Sequence, residues 1–136
     1  MTNAWAVLAH VIAGEGGRIG LVESDPVKVG STGDAVSAAR SGGLISFAKS
    51  LAGEYARHGV SVNVVCPRQT DTSSWDDLVE HDGSTSKIGT AALRAIPLRG
   101  IGRPEEVAMA GVLLVWDESS FITGQAVSVS RGLTMS

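Results

Sequence analysis

Apolar residues recur at helical spacing over residues 3–14, where Trp5, Leu8, Val11 and Ile12 fall on one side. The glycines at 14, 16 and 17 end that run, and Arg18 to Glu23 reads as a short strand. A long helix is predicted from about Asp34 to His58, with Val36, Leu44, Phe47, Leu51 and Tyr55 on one stripe and Gly59 as its stop. The β-branched run Val60–Val65 predicts a strand buried on both faces of a parallel sheet. Pro104-Glu105-Glu106 places a proline and two acids in the first turn of another helix, running to about Trp116. Residues 126–130 read as a last strand. Thr72 reads as a turn or helix-capping threonine ahead of Trp75–Val79, and the polar stretch Glu80–Thr90 reads as a loop.

This α-β-α-β-α-β order predicts one α/β domain over residues 1–136, built on a parallel sheet of about three strands. Its first strand would leave an open edge, a liability that something should cover. The longest apolar stretches are too short to span a bilayer, and Met1 to Trp5 carries no positive secretion signal. Seventeen glycines raise the question of disorder, which the recurring Val, Ile and Leu argue against.

Net charge is −3 and the basic residues are scattered, so no nucleic-acid surface is indicated. One cysteine, Cys66, excludes an internal disulfide and reads as a small buried hydrophobe. His10, His58 and His81 lack ligand spacing, so no metal is expected. Asn63 is expected to bond to backbone, and Trp116 to cover the last helix against the sheet. Together these features suit a soluble, cytoplasmic protein that uses neither a membrane nor nucleic acid.

Several stretches taken together resemble the C-terminal half of a short-chain dehydrogenase. They are Gly17-Arg18-Ile19, Gly42-Gly43-Leu44-Ile45, Tyr55 to Pro67, Gly102 to Ala108 and Phe121-Ile122-Thr123-Gly124-Gln125. The resemblance covers essentially the whole chain and implies a truncated Rossmann-like sheet without its nucleotide-binding half. Asp25 to Thr72 and the ending Gly132 to Met135 look closest to bacterial dehydrogenases of hydroxyacyl-CoA thioesters in anaerobic aromatic and alicyclic acid degradation.

The family places a serine 13 residues ahead of the tyrosine of a Tyr-x-x-x-Lys motif, and the matching positions here are Ser24, Ser37 and Ser41. That chemistry needs a phenol as acid/base and a nearby ammonium to make the phenolate accessible, and two serines supply neither. Arg40 is adjacent to the missing lysine, but one helix position turns it about 100° away. The resemblance implies a Pro-Gly at the nicotinamide, where this chain has Pro67-Arg68, and only Thr72 matches a carboxamide contact. Gly14, Gly16, Gly17 and Gly20 follow a helix and precede a strand, the wrong context for a phosphate turn.

What the resemblance retains is the association surface. Ala35, Ala38, Ala39, Gly42, Gly43, Ser46, Ser50 and Gly53 are small residues that would let helices approach closely. Glycines inside a helix cost about 1 kcal/mol each against alanine, so tight packing is expected there. The expected partner interface comprises Trp5, Leu8, Ile12, Gly43, Leu44, Ser46, Phe47, Leu51, Phe121 and Met135. The reading is therefore a non-catalytic subunit, inactive alone and without cofactor. Its partner would be an active sister dehydrogenase carrying NAD, in a hetero-oligomer and most simply a tetramer. The rival readings are a regulatory or acyl-CoA-binding module, or a chain that completes a shared active site.

Overall fold

A computed structural model of the chain describes residues 2–14, 16–30, 32, 34–73, 91 and 93–135. The stretches Trp75–Val79 and Glu80–Thr90 lie outside the described residues. The order is α1 (Thr2–Ala13), β1 (Gly17–Val22), a 3-10 turn (Asp25–Lys28), α2 (Ala35–Tyr55), β2 (Val60–Pro67), α3 (Pro104–Val115) and β3 (Ala126–Val129). All three strands are parallel, in the order β1-β2-β3.

β2 is the central strand, as its unbroken β-branched run requires. It pairs with β1 from Gly17↔Val60 to Val22↔Val65, and with β3 from Val64↔Ala126 to Pro67↔Val129. The second pairing carries β2 two residues beyond the Val60–Val65 stretch read from the sequence. Val60, Val62, Val64 and Cys66 meet Ile19, Leu8 and the α2 residues Ala48, Leu51 and Ala52 in the core. The other face is closed by α3. A Cβ on Gly20 would stand 3.0 Å from Val115 Cγ1, so glycine there lets the helix lie close to β1.

Asn63, fully buried, donates from Nδ2 to Ile122 O (3.0 Å) and accepts from Gln125 N (3.0 Å). These bonds fix the loop that delivers β3 to the sheet, and they bear out the backbone role expected for it. Among the described residues β1 pairs only with β2, so its other edge carries no strand. No helix among the described residues is long and apolar enough to cross a membrane.

Three expectations need correction. Val36 is 87% exposed, because the first turns of α2 lie over the 3-10 turn rather than over the sheet. Trp116 is 57% exposed and does not seal α3 to the sheet; the helix ends at Val115, and extended backbone at Trp116 carries the ring outward. Leu8 and Leu51, expected at a partner interface, are 3% and 1% exposed and belong to the chain's own core. The glycines of α2 also divide. A Cβ on Gly42 would meet Val27 at 3.4 Å, whereas a Cβ on Gly43 or Gly53 would meet nothing within 4 Å among the described residues, the helix's own backbone aside.

Candidate functional site

The carboxyl end of the sheet is where an open α/β sheet offers a ligand crevice. It is also where β1 delivers Ser24. Glu23 extends β1 by one bond, its N donating to Val65 O at 2.9 Å. Its side chain turns inward, 6% exposed, and one oxygen gathers three donors. Oε1 accepts from Ser24 N (2.9 Å), Ser41 Oγ (2.8 Å) and Arg40 Nη2 (2.9 Å). Arg40 does reach the site, but from the rotated position its register dictates, with a side chain 69% exposed. It pairs with Glu23 from outside and does not take the position of Ser41, which is fully buried and which the resemblance matches to the family's lysine.

Beyond Ser24 the chain makes the 3-10 turn with Pro26 in its first turn. This turn buries Asp25 completely, with both carboxylate oxygens lacking a hydrogen-bond donor. Lys28, at its end, reaches across the sheet and donates to Ala126 O (2.9 Å) and Ser128 Oγ (2.8 Å) on β3. Ser128 is the register partner of Cys66. Burial pushes the Cys66 thiol up to about 11; the Lys28 ammonium opposes this, and the Asp25 and Glu23 carboxylates add to it. Cys66 therefore stays a protonated thiol at neutral pH and is no nucleophile.

The spacing argument thus places Ser24, Ser37 and Ser41 around one corner, and the structure brings Ser24 and Ser41 together on Glu23. Ser37 sits partly buried on the first turn of α2. No phenol stands near. Tyr55 lies at the far end of the same helix, its ring 6.3 Å from that of His58. In place of an ammonium that would favour a phenolate, this corner holds a hydroxyl donating to a buried carboxylate. Its polarity is reversed relative to what hydride chemistry through a tyrosine requires.

The glycine run before β1 also has its amides committed. Gly14 N donates to His10 O, Gly16 N to Val11 O and Gly17 N to Gly59 O, as a helix end followed by a strand demands. Thr72 is exposed and donates to Thr70 O at 3.4 Å, a local turn contact. Arg68 follows β2, its N donating to Val129 O, and its side chain lines a cavity shared with the end of β3. Arg131 has φ +51 and Gly132 φ +87, so the C-terminal turn uses left-handed backbone at both positions. Arg131 is held there by two hydrogen bonds to Glu106, at 2.8 and 3.0 Å.

Of the expected interface residues, Trp5 (53%), Phe121 (103%) and Met135 (86%) are exposed, and so are Gly43 and Ser46. Ile12, Leu44 and Phe47 are partly buried, and Phe47 meets the Trp5 ring at 6.1 Å. An exposed stripe at Met109, Val112, Leu113 and Trp116 was missed by the sequence reading. Its i, i+3, i+4, i+7 spacing was visible, but every residue from Val107 to Val115 is apolar or glycine, and spacing alone does not say which stripe meets the sheet.

The family model described as enoyl-(acyl carrier protein) reductase matches residues 2–134. A 2,3-dihydroxy-2,3-dihydro-p-cumate dehydrogenase of Pseudomonas putida is 35% identical over 128 residues, 94% of this chain and 48% of its own length. A 3-oxoacyl-(acyl-carrier-protein) reductase of Salmonella typhimurium is 35% identical over 130 residues, 96% of this chain and 51% of its own length. Among solved structures, an oxidoreductase of the short chain dehydrogenase/reductase family from Burkholderia thailandensis superposes with a TM-score of 0.84 at 38% identity. That match covers 94% of this chain and 49% of the other. The chain spans about half the length of the curated relatives it matches. Its three-stranded parallel sheet with flanking helices is the corresponding half of their fold, and the chain belongs to the short-chain dehydrogenase/reductase family.

Proposed function

We propose that this chain is a non-catalytic subunit of a hetero-oligomeric short-chain dehydrogenase, in which a sister chain carries NAD and the Ser–Tyr–Lys chemistry. The observation that carries the reading is the corner at Glu23. Ser41, in the lysine position, is buried and donates to that carboxylate, and Ser37 stands in the tyrosine position. At those two positions the family's proton relay finds neither its phenol nor its ammonium.

The outer surface supports the second half of the proposal. Small residues Gly43, Ser46 and Gly53 are exposed along α2 beside Trp5. A second apolar stripe runs along α3. A sister of the same fold would bury both around pseudo-two-fold axes, most simply as a tetramer. By resemblance, the sister's substrate is the secondary alcohol of a hydroxyacyl-CoA. The benzylic hydroxyacyl-CoA dehydrogenase of anaerobic toluene breakdown, with one active and one degenerate subunit, is the arrangement we favour.

Co-expression with the candidate sister, followed by size-exclusion chromatography with light scattering, tests this. An even-numbered mixed complex is expected, with turnover that disappears when the sister's tyrosine is replaced. Gly43→Glu in this chain should split the complex. NAD turnover by this chain alone, or a stable monomer that ignores every sister offered, would overturn the reading.

A further inference from the structure

Apart from the Glu23 corner, the chain has a cavity of about 90 Å³, largely apolar with a few polar groups, between the ends of β2 and β3, the start of α3 and the segment before it. Arg68, Gln69, Ile96, Gly102, Val129 and Arg131 are among its lining residues. The walls are fixed by backbone bonds. Arg68 N donates to Val129 O (3.2 Å), Gly102 N to Gln69 O (2.9 Å) and Asp71 N to Gly102 O (2.8 Å).

Its charges are unevenly satisfied. Glu106 accepts two bonds from Arg131 and one from Arg103 N at 2.7 Å, which hold its carboxyl below the ordinary range. Arg131 also donates from Nη1 to Arg99 O at 3.0 Å. That acid and that base answer each other. Arg68 is different: Nε and Nη1 are buried and have no acceptor, and the neighbouring Gln69 Oε1 is buried without a donor. Two buried guanidinium donors without an acceptor among the described residues are costly, and the cost falls if an anion arrives.

We propose that this cavity binds a small hydroxycarboxylate, its carboxylate on Arg68 and its hydroxyl donating to Gln69 Oε1. The chemistry follows from the two unmet demands: anionic acceptors for the arginine, and one donor for the amide oxygen. The volume is several times the ~10–15 Å³ that one water needs, and it suits a ligand of few heavy atoms. Glu106 adds little repulsion, since Arg131 offsets its charge within the same wall. The site does not depend on the subunit reading, because neither the Glu23 corner nor the outer faces of α2 and α3 contribute to it.

Glycolate, titrated into the isotope-labelled chain and followed by amide NMR shifts, is the direct probe. Saturable shifts are expected at residues 68, 69, 102 and 130. Acetate, which lacks the hydroxyl, should bind about tenfold more weakly. Arg68→Gln should weaken glycolate about tenfold or more, while Arg57→Gln, an equal loss of charge at an exposed turn, should leave it unchanged. Without ligand, Arg68→Met should melt no lower than the parent chain, because it removes two buried donors that lack acceptors among the described residues. Two results overturn the proposal: no saturable shifts with glycolate, meaning a cavity filled by water alone, or shifts that Arg68→Gln leaves intact. Should Arg68→Gln fail to fold, Gln69→Leu decides, since it must erase the preference for glycolate over acetate.

Discussion

Asn63 and Glu23 are both buried polar residues at the sheet, and they are used in opposite ways. Asn63 bonds only to backbone, at Ile122 and Gln125, so its work depends on the fold and on no other side chain. Glu23 bonds to Ser41 and Arg40, the one at a position where the family places catalytic chemistry and the other beside it. The strand centre is satisfied by backbone geometry common to the whole fold. The corner is satisfied by side chains that fit one another. A change that preserves the fold must leave the first kind alone, while the second kind can be rebuilt by changing its side chains together.

Breaking the strand centre should have the largest effect. Asn63→Ala leaves Ile122 O and Gln125 N without partners, at ~1–3 kcal/mol for each buried orphan. Urea unfolding should therefore show a loss of roughly 3 kcal/mol or more. A loss under about 1 kcal/mol would mean that water replaces the asparagine, and the contrast with Glu23 would collapse.

Asp25 sharpens the same contrast from the corner. It is as deeply buried as Asn63, yet neither oxygen has a hydrogen-bond donor. Asp25→Ala breaks no hydrogen bond among the described residues and removes a buried carboxyl group that lacks a donor, so it should cost less than about 1 kcal/mol. Equal costs at Asp25 and Asn63 in the same urea titration would show that burial, and not partnership, sets the effect.

These two residues also mark what the sequence could tell. β2 was legible because a β-branched run leaves few alternatives to a central strand, and Asn63 followed from its place within it. Pro104-Glu105-Glu106 announced α3, and the bond from Arg103 N to Glu106 Oε2 is the physical reason. That no Tyr-x-x-x-Lys spacing is present could be counted, since the one tyrosine, Tyr55, has Gly59 four residues on. The contacts of the Glu23 corner could not be counted in this way, because Glu23 meets its partners 17 and 18 residues along the chain, across a turn whose 3-10 geometry had no periodic signal. Nor could spacing tell that Leu8 and Leu51 face inward while Met109 and Leu113 face outward. That depends on which side of each helix the sheet takes.

Cys66 gives a smaller, kinetic reading of the corner's electrostatics. Its thiol is pushed up from 9.0 to about 11, by burial and by the neighbouring carboxylates against Lys28. Each unit removes about tenfold of the reactive thiolate well below the pKa. Labelling by a thiol reagent at pH 8 should therefore be roughly a hundredfold slower in the folded chain than in urea, before any steric protection is added. Comparable rates in the two states would mean that the carboxyl end of the sheet opens readily.

The smallest effect belongs to Glu106, at the rim of the second cavity. Its carboxyl is held below the ordinary range first by the Arg103 amide, then by the Arg131 side chain, with the charges of both arginines assisting and desolvation opposing. A depressed acid contributes stability that is full above the unfolded chain's carboxylate pKa. As pH falls, the unfolded chain takes up its proton first, and the contribution is lost as pH passes through the folded value. The difference between parent and Glu106→Gln urea midpoints should therefore be greatest at pH 7 and should shrink toward pH 4. Both partners are about one-third exposed, so salt should shrink it as well. A difference that stays constant from pH 7 to pH 4 and in salt would assign the role of Glu106 to shape alone. Arg131 would then hold its left-handed backbone at φ +51 without electrostatic help.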